Sequence, residues 1–226
     1  MTTASVASIL RATRHALLLA GSLLLAGSLL LAGQAYAAAP AAGEVVKVIG
    51  RATAISTDGG LRRLDQGLPV NSGDTVITAA SSFVRMKLSD GGYIVLRPNS
   101  RFQIEDYRFA EKPEESRSVF SLLKGGFRAV TGLIGQRNKS AVSYRTAVAT
   151  IGIRGTDFEV IDCTGGCPEI DAKAKPGIYF KVHQGGVNVN DKPFDQGQGG
   201  FAPPGGDPVV IPDSRNPIAK DPLPDC

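Results

Sequence analysis

The residues of this chain whose types could do chemistry are aspartates beside glycines, two histidines, three cysteines and a run of arginines and lysines. Paired carboxylates could share acid and base roles around a substrate. Asp58, Asp74 and Asp90, however, stand in Asp58-Gly59-Gly60, Gly73-Asp74 and Asp90-Gly91-Gly92, where an aspartate shapes a turn through its own backbone. They read as turn residues, and no catalytic set is expected. His15 falls in the N-terminal leader and leaves His183 alone, which rules out a site built on two histidines. Cys163 and Cys167 enclose Thr-Gly-Gly, a spacer that turns tightly enough for a local disulfide. The alternative is zinc held by His183 and three cysteines, which needs Cys226 to fold back. No metal or other cofactor is expected, and the pairing of Cys226 stays open.

Between Ser116 and Thr156 stand Arg117, Lys124, Arg128, Arg137, Lys139, Arg145 and Arg154, with no acid among them; Glu105, Asp106, Glu111, Glu114 and Glu115 come just before. One reading is a binding face made by Arg128, Arg137, Lys139, Arg145 and Arg154, facing an anionic glycan or an acidic protein patch. The other is a solvated sheet face that answers the acids upstream. The net charge of +4 is too small to point to nucleic acid.

Positioning begins with the leader. Arg11 and Arg14 precede an apolar run from Ala16 to Gly33, and Ala35-Tyr36-Ala37 follows it, the three parts of a secretory signal peptide. Residues 1–37 are therefore expected to be removed, leaving no stable membrane span; the alternative is a retained anchor. Export implies an oxidising compartment. From Gly43 to about Ala202, short β-branched and aromatic segments alternate with Gly, Asp, Asn and Pro. No window carries a helical stripe, so an all-β domain is expected. The strands are expected at 44–49, 51–56, 74–78, 82–88, 93–96, 101–107, 118–123, 126–130, 143–146, 156–161, 178–182 and 186–190. Residues 203–226 are rich in Pro and Gly and read as a tail that either wraps the domain or stays mobile.

Three motifs stand in order along the domain. Asp90-Gly-Gly-Tyr-Ile94-Val-Leu96-Arg-Pro-Asn-Ser100 resembles the D-G-x-x-(V/I)-x-L-x-x-x-S stretch of the FecR domain. Leu122-Leu-Lys-Gly125-Gly-Phe127 resembles that family's L-x-x-G strand, and Gly155-Thr156-Asp-Phe158-Glu-Val160 its G-T-x-F-x-V signature. The resemblance implies an all-β extracytoplasmic domain, irregular and solenoid-like in its stacking, with a β-sandwich as the alternative. It also implies a Gram-negative setting, in the periplasm or outside the cell. The family's well-understood regulators carry a cytoplasmic anti-sigma segment that this chain is not expected to have. The resemblance thus implies a non-catalytic recognition module that binds an envelope protein in signalling or assembly; anionic glycan binding and a structural envelope role are the alternatives. Its motif residues are expected to build the fold: Asp90 and Gly91 the turn, Ile94 and Leu96 the core, Ser100 a backbone bond at the strand break, Gly155 a backbone conformation or close approach closed to other residues, and Phe158 and Val160 one face of the following strand, with Gly125 and Thr156 as further structural members.

Overall fold

The computed structural model describes residues 41–221 and residue 223; the leader with its cleavage site and Cys226 lie outside the described residues. Alternation of apolar and polar residues makes most of the chain strand. The first half holds β1 (Ala41–Ile49), β2 (Ala52–Ile55), β3 (Leu61–Leu64), β4 (Pro69–Asn71), β5 (Thr75–Thr78), β6 (Phe83–Leu88), β7 (Tyr93–Leu96), β8 (Arg101–Arg108) and β9 (Arg117–Val130). The second half holds β10 (Val142–Arg145), β11 (Thr150–Ile153), β12 (Asp157–Asp162), β13 (Ile178–Gln184), β14 (Gly186–Val189), β15 (Lys192–Asp195), β16 (Gly199–Ala202) and β17 (Val209–Ile211). Two short helices, α1 (Leu133–Arg137) and α2 (Pro168–Asp171), interrupt them. In β6, Val84, Met86 and Leu88 are buried and Lys87 is exposed, as one wet and one dry face require.

The strands form two layers. One runs β4-β1-β6-β7-β9-β12-β13-β16-β17. The other runs β3-β2-β5-β8-β9-β10-β11-β14-β15. β9 is the middle strand of both, so hydrogen bonding continues through all 17 strands. Its first part pairs with β8 and, in parallel, with β10; from Gly125 onward it pairs with β7 and β12. α1 belongs to the crossover that a parallel pair requires. The inner faces meet in one apolar core, with aromatic rings bridging the layers: Phe102 and Phe127 have centroids 5.2 Å apart, and Tyr144 and Phe158 5.1 Å. Such pairs contribute roughly 0.5–1.5 kcal/mol each beyond the area they bury.

The fold is all-β, and the expected strands are present with two differences. The segments at 118–123 and 126–130 are a single strand, because Gly125 takes φ +84° and lets the chain change layer without losing its pairing. β3, β4, β11, β15, β16 and β17 were not expected. They are three or four residues long, all but β17 are interrupted by Gly, Pro or charge, and their neighbours supply the ladder. In β16, for example, the Phe180 ring fills the space above Gly200, where a Cβ would lie 2.0 Å from Cζ. Residues 203–221 wrap the domain: β17 pairs with β16, and the turn at Pro217–Lys220 buries Pro217 and Ile218.

A Cβ on Gly125 would lie 2.4 Å from Ser100 Oγ and 2.6 Å from Ser100 Cα, whereas one on Gly59, also at φ +84°, meets nothing within 4 Å. Gly125→Ala is expected to lower unfolding free energy by about 2–4 kcal/mol, the left-handed penalty plus overpacking, and Gly59→Ala by about 1. Urea unfolding of the two variants measures the difference, and equal losses would show that the close packing at the crossover adds nothing.

Candidate functional site

The motif stretches meet one another in space. Asp90 is buried between β6 and β7, where its carboxylate accepts from Gly92 N at 3.1 Å and from Ile134 N at 3.1 Å, and its carbonyl accepts from Leu133 N at 2.9 Å. It therefore holds the start of α1, because Gly132, the residue just before the helix, has no side chain to cap it. The Asp90 backbone N–H donates to Tyr107 Oη at 3.0 Å. Ser100 Oγ donates to Gly126 O at 3.0 Å and accepts from Gly126 N at 2.9 Å, while Ser100 N donates to Thr78 Oγ1 at 2.9 Å. The first motif thereby clamps the second at the point where β9 changes layer. Thr156 N donates to Thr131 Oγ1 at 3.1 Å and Thr131 N to Thr156 O at 2.9 Å, with the two hydroxyls 3.0 Å apart. This ties the third motif, which opens at Gly155, to the end of β9. Ile94, Leu96, Phe158 and Val160 all point into the core.

On the outer face of the layer that contains β17 the structure assembles charges that sequence reasoning missed. Glu159 is 3% exposed and Arg97 2%. Arg97 Nη2 stands 3.6 Å from Glu159 Oε1; Nη1 reaches Asp221 Oδ2 at 2.5 Å, and Nη2 donates to Asp221 O at 2.7 Å. His183 Nε2 lies 3.3 Å from Glu159 Oε2. Burial pushes the Arg97 guanidinium below its ordinary value, and Glu159 and Asp221 pull it back up. No local pattern could have revealed this site, since Arg97 and Asp221 are 124 residues apart. Beside it Ile161, Tyr179, Ile218, Cys163 and Cys167 form a second, smaller apolar cluster, in which the two cysteines are joined as a disulfide. A cleft of about 680 Å³ opens between Arg97, Lys124, Gly166, Glu169 and Asp221.

The five candidate basic residues are not brought into one patch. Arg128 lies on β9 between the inward-facing Phe127 and Ala129, and grips Asp157 with both Nε (2.8 Å) and Nη2 (2.7 Å). The Asp157 bond holds its guanidinium above the ordinary value. Arg145, next to the inward-facing Tyr144, emerges from the other layer and bonds Glu105 at 2.7 Å. Arg154 bonds Asp195 at 2.6 Å and Phe194 O at 3.0 Å. Strand alternation sends neighbouring side chains to opposite sides, so a run that is contiguous in sequence is divided between two faces. Arg137 at the end of α1 stacks over Phe109 at 5.7 Å, and Lys139 is exposed in the following turn. Asp58 and Asp74 serve turns: Asp58 Oδ1 accepts from Gly60 N at 3.0 Å and from Ser56 Oγ, and that hydroxyl holds its carboxyl below the usual value. Asp74 accepts from Asn71 N at 2.7 Å and pairs with Arg62.

The family model described as FecR protein matches residues 74–188, just over half of the 226 residues. The chain belongs to the FecR family. Among solved structures, a cell surface anchoring domain is 31% identical with a TM-score of 0.30, over 32% of this chain and 97% of that one. A candidate anti-sigma factor of Parabacteroides distasonis is 12% identical with a TM-score of 0.42, over 61% of this chain; the chain spans 58% of that structure's length. No curated protein matches.

The FecR match takes in all three motifs, Arg97 and Glu159, and ends before the segment that carries Asp221. Arg97 therefore joins the FecR core to a segment outside the match. Removing one partner of a buried ion pair costs about 3–5 kcal/mol, whereas replacing both costs far less. Arg97→Met is expected to lose at least about 3 kcal/mol and Arg97→Met/Glu159→Gln distinctly less, as read by urea unfolding; a double variant as unstable as the single would refute the coupling. Burial, assisted by the charge of Asp90, pushes the Tyr107 and Tyr144 phenols well above their usual range. Folded-state values raised in this way leave stability unaffected below the unfolded value near 10 and reduce it above. Each tyrosine is expected to remove up to about 1.4 kcal/mol per pH unit beyond pH 10, and the Tyr144→Phe variant should show a shallower decline of its urea midpoint between pH 9 and 11.

Proposed function

We propose that this FecR-family protein is a non-catalytic recognition module of the bacterial cell envelope, exported by its leader to the periplasm or beyond, and that it binds an envelope protein in signalling or assembly. The observation that carries this reading is that the family's motif residues are consumed in building the fold. Asp90 holds a helix start, Ser100 locks the layer crossover, Thr156 ties two strands, and the apolar members fill the core. Recognition then falls to the surface around that frame. The region that best fits a protein partner is α1 and its surroundings, where exposed Leu133 and Phe109 stand with Arg137 and Lys139. Aromatic, aliphatic and arginine side chains grouped in this way are the usual anchors of protein interfaces. Glycan binding through the basic run has less support, because Arg128, Arg145 and Arg154 are each held by a carboxylate.

A photo-crosslinking residue placed at Leu133 in the full-length protein in cells is expected to capture one envelope protein. The same probe at Leu61, exposed on β3, should not capture it, and charge reversal of Arg137 and Lys139 should reduce the adduct at least tenfold. Absence of any protein adduct from Leu133, or capture of the same protein from both positions, would overturn the reading.

A further inference from the structure

Residues 213–221 lie across β13 and β12 without joining the ladder, held by side chains at intervals. Asp213 bonds Lys181 Nζ at 2.6 Å. Asn216 is fully buried; its Nδ2 donates to Phe180 O at 2.9 Å and its Oδ1 accepts from Ile218 N at 3.1 Å. Ile218 enters the apolar cluster of Ile161 and Tyr179. Lys220 bonds Asp171 at 2.6 Å, and Asp221 meets Arg97 through both its carboxylate and its carbonyl.

The two sides of these contacts differ in exposure. Arg97, Lys181 and Asp171 have side chains 2%, 17% and 13% exposed, while their tail partners Asp221, Asp213 and Lys220 are 46%, 59% and 44% exposed. The groove side is packed and held by the sheet and α2; the charged tail side chains are half in water, where ion pairs contribute little, and the burial of the tail is confined to Asn216, Pro217 and Ile218. Such a segment opens locally at far less cost than the core that supports it. A buried arginine that reads a carboxylate and the carbonyl of the same residue selects an aspartyl peptide over a free anion, because one guanidinium can satisfy both groups only when they are linked.

We propose that this face is a docking groove for a protein segment with the spacing Asn-x-apolar-x-x-Asp, and that residues 213–221 are its resident, displaceable occupant. The partner is a protein chain that presents an aspartate to Arg97, an apolar side chain to Ile161 and Tyr179, and an amide to Phe180 O. The tail, present at the high effective concentration of a tethered ligand, keeps weaker segments out. The proposal rests on the protein-recognition reading and adds the chemistry of the segment recognised.

The test uses full-length protein and a fluorescent peptide of residues 213–221. Against the chain carrying Asp213→Ala and Asp221→Ala, which loosen the resident tail, the peptide is expected to bind at least tenfold more tightly than against wild type. The Asp221→Ala peptide should bind at least tenfold more weakly. No binding to the loosened chain, equal binding to both chains, or no loss with the altered peptide would overturn the proposal. Should the loosened chain fold poorly, hydrogen exchange on wild type decides: amides of Asn216 and of residues 218–221 should exchange at least tenfold faster than those of Phe180 and Val182, and equal rates would overturn it. Neither measurement involves the envelope partner, so a groove that fails here while Leu133 still crosslinks leaves the recognition reading standing, and the converse result separates the two in the other direction.

Discussion

The structure depends on one contact, the embrace of the Gly125-Gly126 backbone by Ser100. β9 can serve as the middle strand of both layers only if it changes layer without a break in its ladder, and that requires a residue at positive φ with no side chain facing Ser100. The serine hydroxyl then both donates to and accepts from Gly126, satisfying its N–H, while the Gly126 carbonyl also accepts from Arg97 N at 2.9 Å. Four neighbours of β9, namely β7, β8, β10 and β12, take their register from it. The aromatic rings at the layer interface sit on these same strands, so the crossover and the densest part of the core are parts of one arrangement.

Charge in this molecule is arranged around the same frame. Several buried or half-buried carboxylates are met by a defined donor: Asp90 by backbone N–H groups, Asp74 by Arg62 and a backbone N–H, and Asp157 by Arg128, whereas Glu159 stands 3.6 Å from Arg97 Nη2 and 3.3 Å from His183 Nε2. A buried charge without such a partner would cost several kcal/mol; in the basic run the half-exposed Arg128, Arg145 and Arg154 are also paired, so it does not remain a free electropositive surface. The outer face around Arg97 is distinctive because part of its neutralisation comes from Asp221, beyond the FecR match. The matched FecR region and a segment beyond it are thereby coupled through one guanidinium.

Most motif side chains are engaged in backbone bonds or core packing, while Gly91 and Gly155 are exposed in turns, and the α1 region with Phe109 projects from this frame.

The strand positions with clear alternation, the turn roles of Asp58, Asp74 and Asp90, and the family itself were legible in the residues alone, because each is a local property: side-chain period, tolerance of positive φ, and short motifs. The short strands β3, β4, β11, β15, β16 and β17 were not, since segments such as Gly199-Gly200-Phe201-Ala202 become strands only when neighbours offer a ladder and fill the missing volume, as Phe180 does over Gly200. The union of two expected strands into β9 also depended on tertiary structure, because a glycine pair reads equally as a turn or as a bend within a strand until its partners are known. The five basic residues illustrate the same limit: their run was visible, but strand alternation and the change of layer divided them between faces and gave three of them carboxylate partners. The Arg97, Glu159 and Asp221 site could come only from the folded chain, for the physical reason that electrostatic and hydrogen-bond partners are chosen by distance in space, and these residues become neighbours only after the sheet is complete and the tail has crossed it.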